Sequence, residues 1–339
     1  MLYVVLFFLG FSLLLYVLLA GADFGAGIIE LFSSEENQTI TKKTVYRVMG
    51  PVWEANHIWI IILIVILWIA FPNYYYIIVT SLHIPLTLML LGITLRGVAF
   101  VFRHYDAYKD KSQIVYDWMF KISSLLTPIF LGLTFGALIS EKIVLVEEAS
   151  SLDFLQSYIF PWLNVFSILI GCFFATLCAF LAAVLLIGEA NEDVRKIYIK
   201  KASIAIIAVV IMGFICLAYG YLNNLKFVTL FLNSTFSLIC VGLSAILLYP
   251  LWKSIRNGRR IFSRLFAGLQ VLLILLAALL PSFPNLIYTT NGTISIFNKM
   301  AAESVITTLA ITLIIGGLII LPGLFHLFKS FKMIKILER

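Results

Sequence analysis

Three stretches place ionisable side chains in otherwise apolar surroundings: Gly21-Ala22-Asp23-Phe24-Gly25-Ala26-Gly27, Trp53-Glu54-Ala55-Asn56-His57-Ile58-Trp59 and Thr94-Leu95-Arg96-Gly97. A charge within an apolar helix is expensive, so each such group needs a partner or a purpose. Asp23 admits two readings. It is either half of an ion pair that holds helices together or a carboxyl that binds and conducts protons. The small residues at 21, 25 and 27 let a second backbone approach closely. Glu54 follows Gly50-Pro51, a helix-start signal. A carboxylate in a first turn gains roughly 0.3–1 kcal/mol from the helix dipole. That explains Glu54 alone, but not the density of Glu54, Asn56 and His57 between Trp53 and Trp59. Arg96 ends its apolar run, where the dipole favours a cation, and it can reach either carboxylate. A pair with Asp23 or with Glu54 is expected, and the sequence does not choose between them.

Redox centres are not expected on this chain. Its four histidines are His57, His83, His104 and His326. A bis-histidine haem site needs two at matching depth on facing helices. His57 lies near one membrane face and His83 roughly 14 Å in from the other, at 1.5 Å per helical residue. His104 falls in a loop and His326 at the end of the last apolar run. His83 therefore reads as a polar core residue, and no haem ligand is assigned. The four cysteines (Cys172, Cys178, Cys216, Cys240) lie within apolar runs and form no CxxC pair. Neither a metal site nor a disulfide framework is indicated.

The elements that must position these residues follow from composition. In 339 residues, 62% are apolar and 12% charged, against roughly half and a quarter in ordinary globular chains. A soluble enzyme and a disordered chain are both excluded. Apolar runs of spanning length predict an all-α polytopic membrane protein with nine transmembrane helices, near 2–22, 53–71, 74–98, 121–140, 160–188, 202–222, 227–250, 262–282 and 304–328. The first run has no basic leader and reads as a retained spanning helix. All but Lys142, Lys226 and Lys299 of the 24 basic residues fall in alternate loops and the C-terminal tail. The positive-inside rule then places the N-terminus outside and the C-terminus in the cytoplasm, with Asp23 and Glu54 on the cytoplasmic side. The net charge of +7 is accordingly topological, with membrane lipids rather than nucleic acid as its partner. No P-loop or nucleotide fingerprint occurs, and residues 1–339 read as a single integral membrane domain.

These motifs, in this order, resemble subunit II of the cytochrome bd ubiquinol oxidase family. The carrying residues are the Asp23 and Glu54 segments above, Ala70-Phe71-Pro72, and Leu95-Arg96-Gly97-Val98-Ala99-Phe100-Val101-Phe102-Arg103. The match is specific over the first 140 residues and looser beyond. The resemblance implies a haem-free helix bundle paired with a haem-bearing subunit I that holds two b-type haems and one d-type haem. The complex would oxidise quinol and reduce oxygen to water in a bacterial or archaeal cell membrane, with protons taken from the cytoplasm. Subunit II would contribute proton and oxygen access. In some members it holds a structural quinone, and a small single-helix accessory subunit is compatible with the family. Asp23 matches the family's first-helix aspartate, and Trp53-Glu54 its Trp-Asp pair. The implied proton route is Glu54, Asp23 and His57, with Arg96 as electrostatic partner. Trp53, Asn56 and Trp59 become candidates for quinone or partner contact. Glu54 replaces the usual Asp, Ala55 the usual Gly, and His57 the usual Glu or Gln. Val101 stands where relatives often carry an acid. The alternative is a secondary transporter with its site at Asp23, Glu54 and His57. It lacks a matching carboxylate cluster in the second half of the chain.

Overall fold

Without water in the hydrocarbon layer, a spanning backbone must satisfy its own hydrogen bonds, so apolar runs become helices. The computed structural model describes residues 1–50, 53–105, 111–145, 152–190 and 192–330. The elements are α1 (Leu2–Leu31), α2 (Glu35–Met49), α3 (Trp53–Ala70), α4 (Pro72–Ser81), α5 (His83–Tyr105), α6 (Ser112–Leu138), α7 (Phe154–Tyr158), α8 (Val165–Glu189), α9 (Glu192–Leu222), α10 (Lys226–Asn233), α11 (Thr235–Arg256) and α12 (Arg260–Leu279). A hairpin of β1 (Asn285–Thr289) and β2 (Gly292–Ser295) and a last helix, α13 (Glu303–Ser330), complete the chain. Among the described residues nine helices are long and apolar enough to cross a membrane: α1, α3, α5, α6, α8, α9, α11, α12 and α13. The expected number holds, and the expected boundaries change in ways that local chemistry explains.

The apolar run at 74–98 is two helices. Pro85 has no N–H for the Ser81 carbonyl four residues back, and its ring crowds that position. The chain breaks at Leu82, with φ −120° and ψ 24°. The run at 227–250 breaks at Ser234, whose Oγ accepts from the Ser237 amide at 3.3 Å and so starts α11. Likewise Asn164 Oδ1 accepts from the Ser167 amide at 2.9 Å, which moves the start of α8 from 160 to Val165. Helix α1 continues past residue 22 to Leu31. Besides the short helix α7, two elements are not foreshadowed by the apolar pattern. One is α2, which buries the i, i+4, i+7 stripe Thr41, Val45 and Val48. The other is the antiparallel hairpin β1–β2, so the fold is all-α in its membrane part only.

Helix α1 is the central element, packed on α3, α6 and α8 and touching α13. Cross-links gather the helix ends into two groups. At one end the Thr290 amide donates to the Ile143 carbonyl (3.1 Å) and the Ala301 amide to the Ala70 carbonyl (3.0 Å). At the other, Arg47 donates to the Glu189 carbonyl at 2.5 Å and Lys201 to the Ile29 carbonyl at 3.1 Å. Arg260 and Arg264 also pair with the Glu189 carboxylate there. The second end is the basic one.

Candidate functional site

The three chemistry-bearing stretches converge where α1, α3, α5 and α6 meet. Arg96 of α5 reaches across to Asp23 of α1: Nη1 donates to Oδ2 at 2.5 Å, and Nη2 to Oδ1 at 2.8 Å and to the Asp23 carbonyl at 2.9 Å. Its Nε donates to Ser124 Oγ of α6 at 3.0 Å. The guanidinium carbon also lies 5.3 Å from the Phe24 ring centroid and 5.0 Å from that of Phe120. Asp23 is 0% exposed and Arg96 2%. This is a two-pronged, charge-assisted pair whose Nε is bonded as well, the form in which a buried ion pair is tolerated. Of the two expected partners, Arg96 takes Asp23. Neither residue is at a helix end as the sequence suggested. Both α1 and α5 run on by two turns, so direct pairing neutralises the charges and the helix dipole contributes little.

The glycines allow this approach. A Cβ at Gly25 would collide with the Cys178 backbone carbonyl of α8, and one at Gly27 with Ser124 Oγ. Close contact with a second backbone was expected of this segment, and it occurs.

A second buried pair lies two helical turns further on and was missed. Arg103 Nη2 donates to Glu30 Oε1 at 2.5 Å, and both side chains are 1% exposed. Arg103 Nε is also 2.7 Å from Asp117 Oδ1, which in turn lies 2.6 Å from Lys42 Nζ. Glu30 follows Asp23 by seven residues, as Arg103 follows Arg96, so each duo shares a helix face. Phe120 serves both pairs, its centroid 4.5 Å from the Arg103 guanidinium carbon. The repeated spacing was the available signal. It went unread because Glu30 lay beyond the expected end of the first span.

The α3 cluster divides. His57 turns inward, its Nε2 3.8 Å from Asp23 Oδ2, and its ring 5.6 Å from Phe24 and 6.2 Å from Tyr16. Asn56 and Trp59 are buried, and Asn56 Oδ1, His57 Nδ1 and Trp59 Nε1 have no hydrogen-bond partner among the described residues. Trp53 is half-buried, its ring tilted against that of Phe100 at a centroid distance of 5.6 Å and opposite Gly97. Glu54 sits in the first turn of α3 and is exposed, on one stripe with Ile58, Ile61 and Trp68. The structure thus joins Asp23, Arg96 and His57 and leaves Glu54 on the surface of this chain. Pro51 lies outside the described residues. An apolar groove of about 280 Å³ runs between α3 and α13, lined by Ala55, Ile58, Trp59, Ile320 and Leu324.

Two of the other three histidines are placed differently from expectation, while His326 lies at the end of the last spanning helix as expected. His83 is exposed, not a core residue, because the break at Leu82 puts it at the start of α5. There its Nδ1 lies 3.0 Å from the Thr80 carbonyl, with its ring 5.2 Å from Tyr158. His104 has helical backbone in the last turn of α5 rather than a loop. His326 is exposed near the end of α13. Among the described residues no group of three His, Cys, Asp or Glu side chains could hold a metal ion, and the four cysteines are free.

Residues 1–331 match the protein family described as cytochrome bd terminal oxidase subunit II. A cytochrome bd ubiquinol oxidase subunit 2 of Bacillus subtilis (strain 168) is 28% identical over 57% of this chain and 56% of its own length, about half of that relative. A second protein of the same organism, provisionally named a cytochrome bd menaquinol oxidase subunit II, is 24% identical over 94% of this chain and 91% of its own. In fold, the chain is similar to a chain of the bd oxidase structure from Geobacillus thermodenitrificans. The TM-score is 0.75 at 18% identity, covering 97% of this chain and 98% of that one.

Proposed function

The chain belongs to the cytochrome bd terminal oxidase subunit II family, and from that premise we propose that it is the haem-free subunit II of a bd-type quinol oxidase, supporting a haem-bearing subunit I and bringing cytoplasmic protons to it. The complex would oxidise a quinol and reduce oxygen to water in the cytoplasmic membrane. Residues 1–339 would act as one membrane domain, with the N-terminus outside and the basic helix ends in the cytoplasm. The haems, when bound in subunit I, supply the electron transfer to oxygen. Two of this chain's histidines are engaged within it, His57 being turned to Asp23 and His83 tied to Thr80.

The observation that carries the proton reading is the buried Asp23–Arg96 pair with His57 against it, adjoining the exposed Glu54 one turn earlier on α3. A carboxylate on an otherwise apolar helix face is costly against lipid. Glu54 is therefore best accounted for by cover from a partner subunit or headgroup water, where it accepts a proton from the cytoplasmic side. His57 is the second station. Asp23 and Arg96 compensate each other and set a fixed field around it. Trp53, half-buried beside Glu54, is the aromatic contact to the partner. Asn56 and Trp59 line the inner side, and the groove beside Trp59 offers apolar walls to a structural quinone.

A reduced-minus-oxidised spectrum of material purified through a tag on this chain tests the assignment. Stoichiometric b-type and d-type haem bands, lost when a separately encoded partner is deleted, are expected. A colourless preparation from cells with active oxidase would instead favour a transporter. Within the assembled complex, Glu54→Gln should lower oxygen consumption by about tenfold or more at unchanged haem content, as loss of a proton-transfer group does. Unaltered turnover would remove Glu54 from the route.

A further inference from the structure

Beyond His57, enclosed polar groups continue into the membrane. Ser12 and Tyr16 of α1 are 0% and 3% exposed. Ser12 Oγ, Tyr16 Oη and His57 Nδ1 have no hydrogen-bond partner among the described residues, nor do Asn56 Oδ1 and Trp59 Nε1 beside them on α3. Leaving one buried polar atom unsatisfied costs about 1–3 kcal/mol. Several together on facing helices therefore need an explanation. A subunit docking from outside cannot supply it, because these atoms are already sealed by this chain's own side chains. Internal water can, since a buried water molecule commonly bonds about three such groups.

The geometry is linear. Ser12 and Tyr16 stand four residues apart and Asp23 seven beyond, on one face of α1. From Asp23 to Ser12 the helix rises roughly 16 Å, which carries the line from the level of the ion pair to the middle of α1. The small Ala20, 0% exposed, lies between Tyr16 and Asp23 and adds no bulk to that face. His57 joins the two parts, with Nε2 at Asp23 and its ring beside Tyr16.

We propose that His57, Tyr16 and Ser12, bridged by internal water, form a proton-transfer file leading from the Asp23–Arg96 pair to the centre of the membrane. This rests on the proton-access reading and adds to it a path and two residues. A proton taken up at one imidazole nitrogen releases the proton held on the other. Each hydroxyl then accepts a proton at oxygen and gives up its own hydrogen, so no group keeps a changed charge after the proton has passed. Asp23 stays with Arg96 throughout and stabilises the transient imidazolium.

The test is X-ray radiolytic labelling of the purified complex in oxygen-labelled water, which marks side chains next to bound water even when buried. Tyr16 should label several-fold faster than Tyr288, which is as enclosed but is hydrogen-bonded to Ser282 at 2.9 Å. In the same complex Tyr16→Phe should lower turnover on the order of tenfold with haem content intact. Labelling of Tyr16 no faster than Tyr288 overturns the file. So does unchanged turnover in a fully haem-loaded Tyr16→Phe complex. Labelling needs no turnover, so it judges the water file even in a preparation without haem bands, a result that would count against the oxidase assignment instead.

Discussion

Asp23 and Arg96 are safe in the bundle only together. Removing the guanidinium leaves a carboxylate with 0% exposure facing the His57 imidazole instead of a permanent cation, and breaking such a pair typically costs about 3–5 kcal/mol. Replacing both partners with apolar residues of similar size is often near neutral. Arg96→Met should therefore lower the melting temperature of the purified complex sharply, whereas Asp23→Leu with Arg96→Met should recover most of the loss. Equal damage from the single and double variants would mean that the contacts of Arg96 with Ser124, Phe24 and Phe120 matter more than its charge. Much of this pair was legible in the sequence, because an isolated acid and an isolated base in apolar runs must find partners. What sequence could not supply was depth. A first span bounded at 22 leaves Glu30 outside it, so the parallel pair with Arg103 does not emerge from the sequence. His83 failed for the same reason in reverse, since a helix thought continuous placed it in the core.

At the scale of elements, the decisive contact is that of α1 with α8. Gly25 lies against the Cys178 backbone, where even one methyl group would overlap the carbonyl, and neither helix can yield without disturbing the Asp23 pair two residues away. Gly10, on the same helix, has open space where a Cβ would lie. Gly25→Ala should destabilise the complex by about 1–3 kcal/mol or more, the usual cost of overpacking, and should reduce the yield of assembled protein. Gly10→Ala should be neutral or mildly stabilising, since alanine is the better helix former. Similar melting temperatures for the two variants would show that the helices can slide apart cheaply. Sequence identified such elements best where a single physical signal governed them. Apolar length alone revealed the spanning helices. The breaks at Leu82 and Ser234 depend on one proline and one hydroxyl cap inside runs that stay apolar throughout, so average hydropathy passes over them. Helix α2 hid in a polar segment whose short stripe of Thr41, Val45 and Val48 is meaningful only once α1 and α8 lie beneath it.

For the whole molecule, an odd number of spans among the described residues puts the two ends of the bundle to different uses. The hairpin end carries Lys142, Lys226 and Lys299, and one of these is offset by an acid: Lys226 Nζ lies 3.8 Å from Glu141 Oε2, and its amide donates to Oε1 at 2.5 Å. At the opposite end Arg47, Arg260 and Arg264 crowd around Glu189, with Lys201 and Lys42 close to α1 and α6. Basic residues near short loops are retained on the cytoplasmic side during insertion, so the proposed topology has the hairpin outside. The same orientation puts Glu54 and the Asp23–Arg96 pair on the side from which protons would be drawn, so the topology and the proton reading stand or fall together. Lys142 and Arg259 are exposed at opposite ends. The native cysteines all lie within the spanning helices α8, α9 and α11, three of them buried and Cys172 half-buried, and should stay silent towards a membrane-impermeant maleimide. In intact cells Lys142→Cys should react with that reagent and Arg259→Cys should not, until the membrane is permeabilised. The reverse pattern would invert the bundle, place Glu54 on the outer face, and leave cytoplasmic proton uptake to the partner subunit alone.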